Sequence, residues 1–437
     1  MHLWNRRVSS RGAGLRPAAR AVALGVVVCL IAVAVSVSSR SATRAAGPSI
    51  AGLHVQGNQI VNGNGQVVRL LGVDRSGTEY ACIQGWGIFD GPNTLASVQV
   101  IASWHVNAVR IPLNEDCWLN INGVNSAYGG SNYQQAVAQY VSLLNQNGIA
   151  AILDLHWSAP GTQKATGQEP MPDQDHSPAF WSSVASYFKG NSSVIFDLYN
   201  EPYPDNNQDT TTAWQCWRDG GSCGSVGFNA AGMQELVTTV RNTGSTNIIM
   251  VGGVGYAGIL SQWLSYRPSD PANELAASWH DYNFSWCTNS SCWNSQVAPV
   301  AQSVPLVVGE IGENDCAHGY IDQLMPWLDS QGASYLGWTW DTWDCSSGPA
   351  LITDYSGTPT NFGVGLKNHL AALAGSSPTP TPTATSAAST ATPTATRTAS
   401  ATPTPTRLAT ATPTPTPRGH RRGPVPMTGS SAAAAER

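Results

Sequence analysis

The chain lacks the spacings that hold metals: neither a CxxC pair nor an HExxH occurs in its 437 residues, so neither a zinc module nor a zinc hydrolase is expected. Basic side chains are scarce where a folded body is expected. Residues 47–373 carry nine Lys and Arg against 26 Asp and Glu, a balance of −17, and only the basic ends bring the whole chain to −5. A body this acidic repels nucleic acid and anionic polysaccharide, and a neutral ligand suits it better. A glycine-rich phosphate turn is missing too. The first apolar run of the body ends in GVDRSGTEY, which argues against an open dinucleotide-binding sheet. The longest apolar run, AVALGVVVCLIAVAV, falls short of the ~20 residues that span a bilayer comfortably.

What is present divides into three parts. Residues 1–46 run from Arg6, Arg7, Arg11, Arg16 and Arg20 through that apolar run to small residues around Ala42, Ala45 and Ala46. This is the order of a secretory signal, with an uncleaved anchor as the alternative. Residues 376–437 are a Thr/Pro/Ala-rich tail without apolar periodicity; such a segment cannot bury enough surface to offset its ordering entropy and reads as an extended, linker-like stalk. Residues 47–375 remain as the folded body.

Cys29 belongs to the signal segment, which leaves eight cysteines. An even number in an exported chain favours disulfides. Proximity favours Cys216–Cys223 and Cys287–Cys292; Cys82–Cys117 and Cys316–Cys345 then follow by elimination and loop position.

Eight short apolar or β-branched runs recur through the body, at residues 67–74, 108–113, 150–156, 194–202, 248–253, 275–282, 305–312 and 334–340. Helical patterns separate most of them. Tyr133, Val137, Tyr140, Val141 and Leu144 make one apolar face between a Ser131 cap and Gly148, and shorter faces are formed by Leu95, Val98, Ile101 and Ala102 and by Phe180, Val184 and Phe188. Strand, helix, strand at this spacing implies parallel pairing by right-handed crossovers. Eight such units predict a (β/α)8 TIM barrel. The preceding LHVQGNQIVNGNGQVV predicts a hairpin, turned at NGNG, that closes the barrel's bottom.

In a (β/α)8 barrel the loops that follow the strands converge on one face. The fourth run ends in Asn200-Glu201-Pro202 and the seventh in Gly309-Glu310-Ile311-Gly312. Two carboxyl groups brought together at one mouth are what glycosidic cleavage with retention requires: one as acid and base, the other as nucleophile. A single glutamate in a loop is ordinarily just a solvated acid.

With these flanks the body resembles glycoside hydrolase family 5 from about Leu53 to Leu373. The resemblance implies Glu201 as general acid/base and Glu310 as nucleophile. AVRIPL is similar to the family's second-strand motif, which makes Arg110 the arginine that holds the nucleophile; a fixed cation there keeps a carboxylate ionised. DLHW implies that His156 lines the sugar site. WHDY implies that His280 orients the acid/base and Tyr282 hydrogen-bonds the nucleophile. Asn200 would donate to the sugar 2-hydroxyl, and Trp338 of GWTW would lie beneath the central sugar, since sugar rings present apolar faces to flat aromatics. The first strand departs from the family's Gly-x-Asn by carrying Gly72-Val73-Asp74.

Further candidate subsites are Trp86, Trp157, Trp340 and Trp343, the last two being either sugar platforms or barrel packing. Glu115, Asp116, Glu313, Asp315 and Asp341 follow strands outside any catalytic motif, whereas Asp154 and Asp197 lie within strands and read as structural partners below the mouth. No metal or organic cofactor is expected. The expected protein is a secreted, monomeric endo-β-1,4-glucanase acting on neutral polysaccharide, without nucleic-acid partners or membrane contact beyond the signal. A β-mannanase or mixed-linkage glucanase is the nearest alternative and a non-catalytic carbohydrate-binding barrel the remote one.

Overall fold

The computed structural model describes residues 48–345 and 348–375; the signal segment and the Thr/Pro-rich tail lie outside them. Eight parallel strands close a barrel. They are β1 (Leu71–Asp74), β2 (Ala108–Asn114), β3 (Ala150–Trp157), β4 (Val194–Asp197), β5 (Ile249–Gly252), β6 (Leu275–Tyr282), β7 (Leu306–Gly312) and β8 (Ser334–Gly337). The order around the barrel follows the chain, with β8 hydrogen-bonded back to β1. Seven of the eight are buried at every residue, β1 being part-buried only at Leu71. Two-sided burial is why these strands read as continuous apolar runs in the sequence.

Helices α1 (Leu95–Ala102), α2 (Ser131–Gln146) and α3 (Ser177–Phe188) precede β2, β3 and β4. In α2 the five residues of the predicted face are all buried. Its start differs from expectation: Gly130 is the N-cap, at φ 59°, and Ser131 is the first helical residue, with no side-chain cap bond. A glycine reaches positive φ without steric cost, so backbone geometry replaces the expected hydroxyl. In α1, Val98 and Ile101 are buried but Leu95 is 46% exposed.

The hairpin pairs His54–Gln56 with Gln59–Val61, so its turn falls at Gly57-Asn58. The NGNG stretch makes a second turn, closed by Asn62 N–H to the Gln66 carbonyl and a Val61–Val67 bridge. Both turns are rich in Asn and Gly, and the sequence alone does not rank them. Ile50, Leu53, Ile60, Val68 and Leu70 pack in one buried cluster with Ala150, Ile152, Ile195, Met250 and Val307 of the barrel strands. The hairpin thereby stoppers the barrel at the end opposite the strand C-termini.

Candidate active site

Arg110, fully buried on β2, organises the floor of the mouth. Its Nη1 donates to Glu310 Oε1 at 2.7 Å and to Asp74 Oδ1 at 3.1 Å, and its Nε donates to Asp197 Oδ2 at 3.0 Å. Nη2 donates to Asn200 Oδ1 at 2.8 Å and lies 3.1 Å from Asp154 Oδ2. One guanidinium therefore faces four carboxyl groups. For the aspartates burial outweighs its attraction: Asp154 is pushed up to about 7, Asp197 to about 8, and Asp74 well above the usual carboxylate range. Burial thus works against charge on the floor, with Arg110 opposing it.

Glu310 is aimed by a bulge in β7. Trp279 pairs with Val308 and His280 with Glu310, which leaves Gly309 unpaired against β6; an extra residue of this kind redirects the side chain beside it. Glycine is required here. A Cβ on Gly309 would stand 2.8 Å from His280 Nε2, and one on Gly312 only 2.5 Å from Tyr282 Cε1. The two glycines flanking Glu310 thus let both β6 rings lie over the strand. Tyr282 donates its hydroxyl to Glu310 Oε2 at 2.5 Å. Burial and the neighbouring Glu310 hold the phenol well above its usual range, so it remains a donor.

Glu201 sits three residues beyond Leu198, where β4 has ended, and its side chain is 17% exposed against 5% for Glu310. His280 Nδ1 lies 3.0 Å from Oε1. Burial pushes His280 down to about 3, so its ring is neutral and gives Glu201 no fixed positive charge. Gln168 donates through Nε2 to both Glu201 Oε2, at 3.1 Å, and the Glu201 backbone carbonyl, at 2.9 Å. Burial raises Glu201 to about 7, opposed by Gln168 and Arg110. A carboxylate oxygen of Glu201, one of Glu310 and a ring nitrogen of His280 all lie within 4.8 Å of one another. That spacing suits two carboxyl groups acting on one anomeric carbon; an intervening attacking water would need them farther apart.

Aromatic rings line one side. Trp338 stacks on His156, with centroids 5.3 Å apart and planes 9° from parallel, while His156 Nδ1 lies 2.6 Å from Asp154 Oδ2. The Trp338–Thr339 peptide is cis. Trp343, part-buried, lies 6.5 Å from Trp338 and 6.4 Å from Tyr80, and Tyr80 in turn neighbours Trp157 and the half-exposed Trp86. Trp340 faces away from this row: it is buried edge-on against Trp104 at 4.8 Å. With Asn200 Oδ1 taken by Arg110, its amide nitrogen is the end left to donate.

The cellulase family pattern, glycosyl hydrolase family 5, matches residues 61–344. The chain belongs to glycosyl hydrolase family 5. Among curated relatives, a mannan endo-1,4-β-mannosidase of Streptomyces lividans is 23% identical over 300 residues, 66% of this chain and 66% of the relative. One from Salipaludibacillus agaradhaerens is 21% identical over 299 residues, 66% of this chain and 82% of the relative. The chain thus spans just under two thirds of the first of these. Among solved structures, a β-glucanase of Saccharophagus degradans in complex with cellotetraose has a TM-score of 0.58 at 20% identity, over 75% of this chain and 95% of that one. The catalytic domain of a Thermobifida fusca endoglucanase has a TM-score of 0.52 at 17% identity, over 73% and 97%. These two likenesses establish the shared barrel.

The other carboxylates of this family 5 glycoside hydrolase are engaged in its loops. Glu115 accepts from Ser177, Asp116 from Asn122 and the Ala165 N–H, Glu313 from the Ile321 N–H, and Asp341 from Tyr355 and Ser76. Among the described residues two trios come close enough to offer ligands to a cation: Glu201, His280 and Glu310, and away from the mouth's centre Glu115, Asp173 and His176. The second trio is already knit together, since Ser177 Oγ bonds both acids and the His176 N–H bonds Asp173. Disulfides join Cys82 to Cys117, Cys216 to Cys223, Cys287 to Cys292 and Cys316 to Cys345.

Sequence reasoning missed Gln168 and the crowding of Asp74, Asp154 and Asp197 on a single arginine. The signals available for the latter were Asp74, the departure from Gly-x-Asn, and Asp154 and Asp197, read as structural partners below the mouth and found on Arg110. Gln168 lies in a long loop between β3 and α3 and follows no pattern.

Proposed function

We propose that this glycoside hydrolase is an exported, retaining endo-β-1,4-glucanase in which Glu310 attacks the anomeric carbon and Glu201 protonates the departing oxygen. The observation that carries this reading is the asymmetry of the pair. Glu310 is gripped at both oxygens by Arg110 and Tyr282, as a nucleophile must be aimed, whereas Glu201 is lifted to about 7, where a carboxylic acid can give a proton and later take one from water. Trp338 and the aromatic row beside it offer apolar faces for a neutral sugar chain. Export is supported by four disulfides and by the basic-then-apolar N-terminal segment.

The named activity of the curated relatives favours a second reading, an endo-β-1,4-mannanase. Glucose and mannose differ only in the orientation of the 2-hydroxyl, which the Asn200 amide would meet in either case. Product profiling on carboxymethylcellulose, barley β-glucan and mannan separates the readings. Cleavage of the glucans to oligosaccharides with mannan untouched supports the first, and the reverse pattern supports the second. Glu310→Gln should abolish turnover on all three while the fold is retained; a variant near full rate would sink the assignment.

A further inference from the structure

We infer that Gln168 is a positioning residue for the acid/base, fixing the Glu201 carboxyl over its own backbone and setting the proton affinity with which it works. The inference rests on Glu201 being the acid/base.

Gln168 projects from the loop between β3 and α3 (residues 158–176). Its two amide hydrogens are spent on one residue, bonding Glu201 Oε2 at 3.1 Å and the Glu201 carbonyl at 2.9 Å. A group tied to both the head and the root of a side chain restricts its rotation. With His280 Nδ1 at Oε1, each carboxyl oxygen has its own fixed neighbour. The two neighbours differ in kind. A neutral imidazole presents either a donor or an acceptor through its Nδ1, according to tautomer, and so tolerates Glu201 in both protonation states. An amide NH2 can only donate, and a donor on a carboxylate favours the ionised form. Gln168 therefore biases Glu201 toward the carboxylate needed to activate water, against burial, which favours the acid needed for leaving-group protonation.

The loop is held in place without this side chain. Asn114 and Asp116 bond the backbone of Ala165, the Tyr203 hydroxyl bonds the Gln168 carbonyl, and the Tyr199 hydroxyl bonds the Glu169 carbonyl. Backbone bonds from Tyr203 and Ala231 secure Pro170 and Pro172. Among the described residues the side-chain amide makes hydrogen bonds to Glu201 alone, so replacing it disturbs the acid/base before it disturbs the loop.

The test is the pH dependence of kcat/KM for the full chain, on barley β-glucan or on galactomannan if the mannan reading holds. In Gln168→Leu, which keeps the bulk and loses the donor, the basic limb should move upward, on the order of one pH unit. In Gln168→Glu, which puts a like charge against Glu201, it should move at least as far. Both variants should melt near the wild-type temperature. A limb that stays put in both, with the rate reduced equally at every pH, overturns the inference. A Glu201→Ala chain that cuts the polymer at the wild-type rate instead removes the acid/base reading and the inference with it. An inactive Glu201→Ala beside unmoved Gln168 limbs removes the inference alone.

Discussion

Arg110 and Glu310 form a 2.7 Å ion pair between β2 and β7 in which the arginine is fully buried. The same guanidinium also meets Asp74, Asp154 and Asp197, so it is at once the clamp on the proposed nucleophile and a cation offsetting the acids of the barrel floor. Lysine has one point charge and no planar fork to divide among five partners. Arg110→Lys should therefore lower kcat by at least about 100-fold and reduce stability, with removal of one partner of a buried charge network costing about 3–5 kcal/mol. Steady-state rates and urea unfolding check the two effects separately. A substitution that melts early yet keeps its kcat would confine Arg110 to a structural role.

The proposed role of Glu201 sets an upper pH limit. Burial raises its carboxyl to about 7, and protonation of the leaving oxygen needs the acid form. As pH rises through 7 the acid is lost, so kcat/KM should fall tenfold for each further unit. The basic limb measured on polysaccharide follows this loss, and the same profile in Asp154→Asn and Asp197→Asn separates it from the two buried aspartates that titrate nearby. Tyr282 does not titrate in that range, because burial and Glu310 hold it well above its usual value; a limb near 10 would point to a group other than Glu201.

Asp197 offers a test of proton retention beneath the site. Its carboxyl is lifted to about 8 by burial, against the opposing pull of Arg110, and Asp154 to about 7. The folded-state values lie above the unfolded value of about 3.9. The folded chain then keeps protons that the unfolded chain gives up, and stability should decline as pH rises from about 4 to about 8. Asp197→Asn mimics the protonated residue at every pH. It should flatten that decline, with a higher melting temperature relative to wild type at pH 8 than at pH 5. Parallel wild-type and variant curves across that range would rule the retained proton out.

The barrel was legible because two-sided burial writes each strand as a short apolar run, and the eight runs of the sequence correspond to the eight strands. Residues at the strand ends were equally legible, since topology alone delivers Arg110, His156, His280, Tyr282 and Trp338 to one mouth. Turns and long loops were less so. Gly57-Asn58 and NGNG are chemically similar turn formers, and the chain reverses at both, pairing 54–56 with 59–61 and Val61 with Val67. Trp340 and Trp338 are two residues apart in GWTW, yet one is buried against Trp104 and the other stacks on His156. Gln168 reaches Glu201 across 33 residues of chain, through loop geometry that no periodicity encodes.

All four disulfides lie in connections that leave the C-terminal ends of strands, after β1 and β2, within the segment after β4, after β6, and between the segments after β7 and β8. The opposite end is sealed by side-chain packing of the hairpin. Redox conditions therefore act on the two ends of the molecule unequally. Reduction would break four covalent links at the rim that shapes the sugar cleft and none at the stoppered end, so the shape of the cleft is tied to the redox chemistry around the chain more directly than the packing of the stopper is.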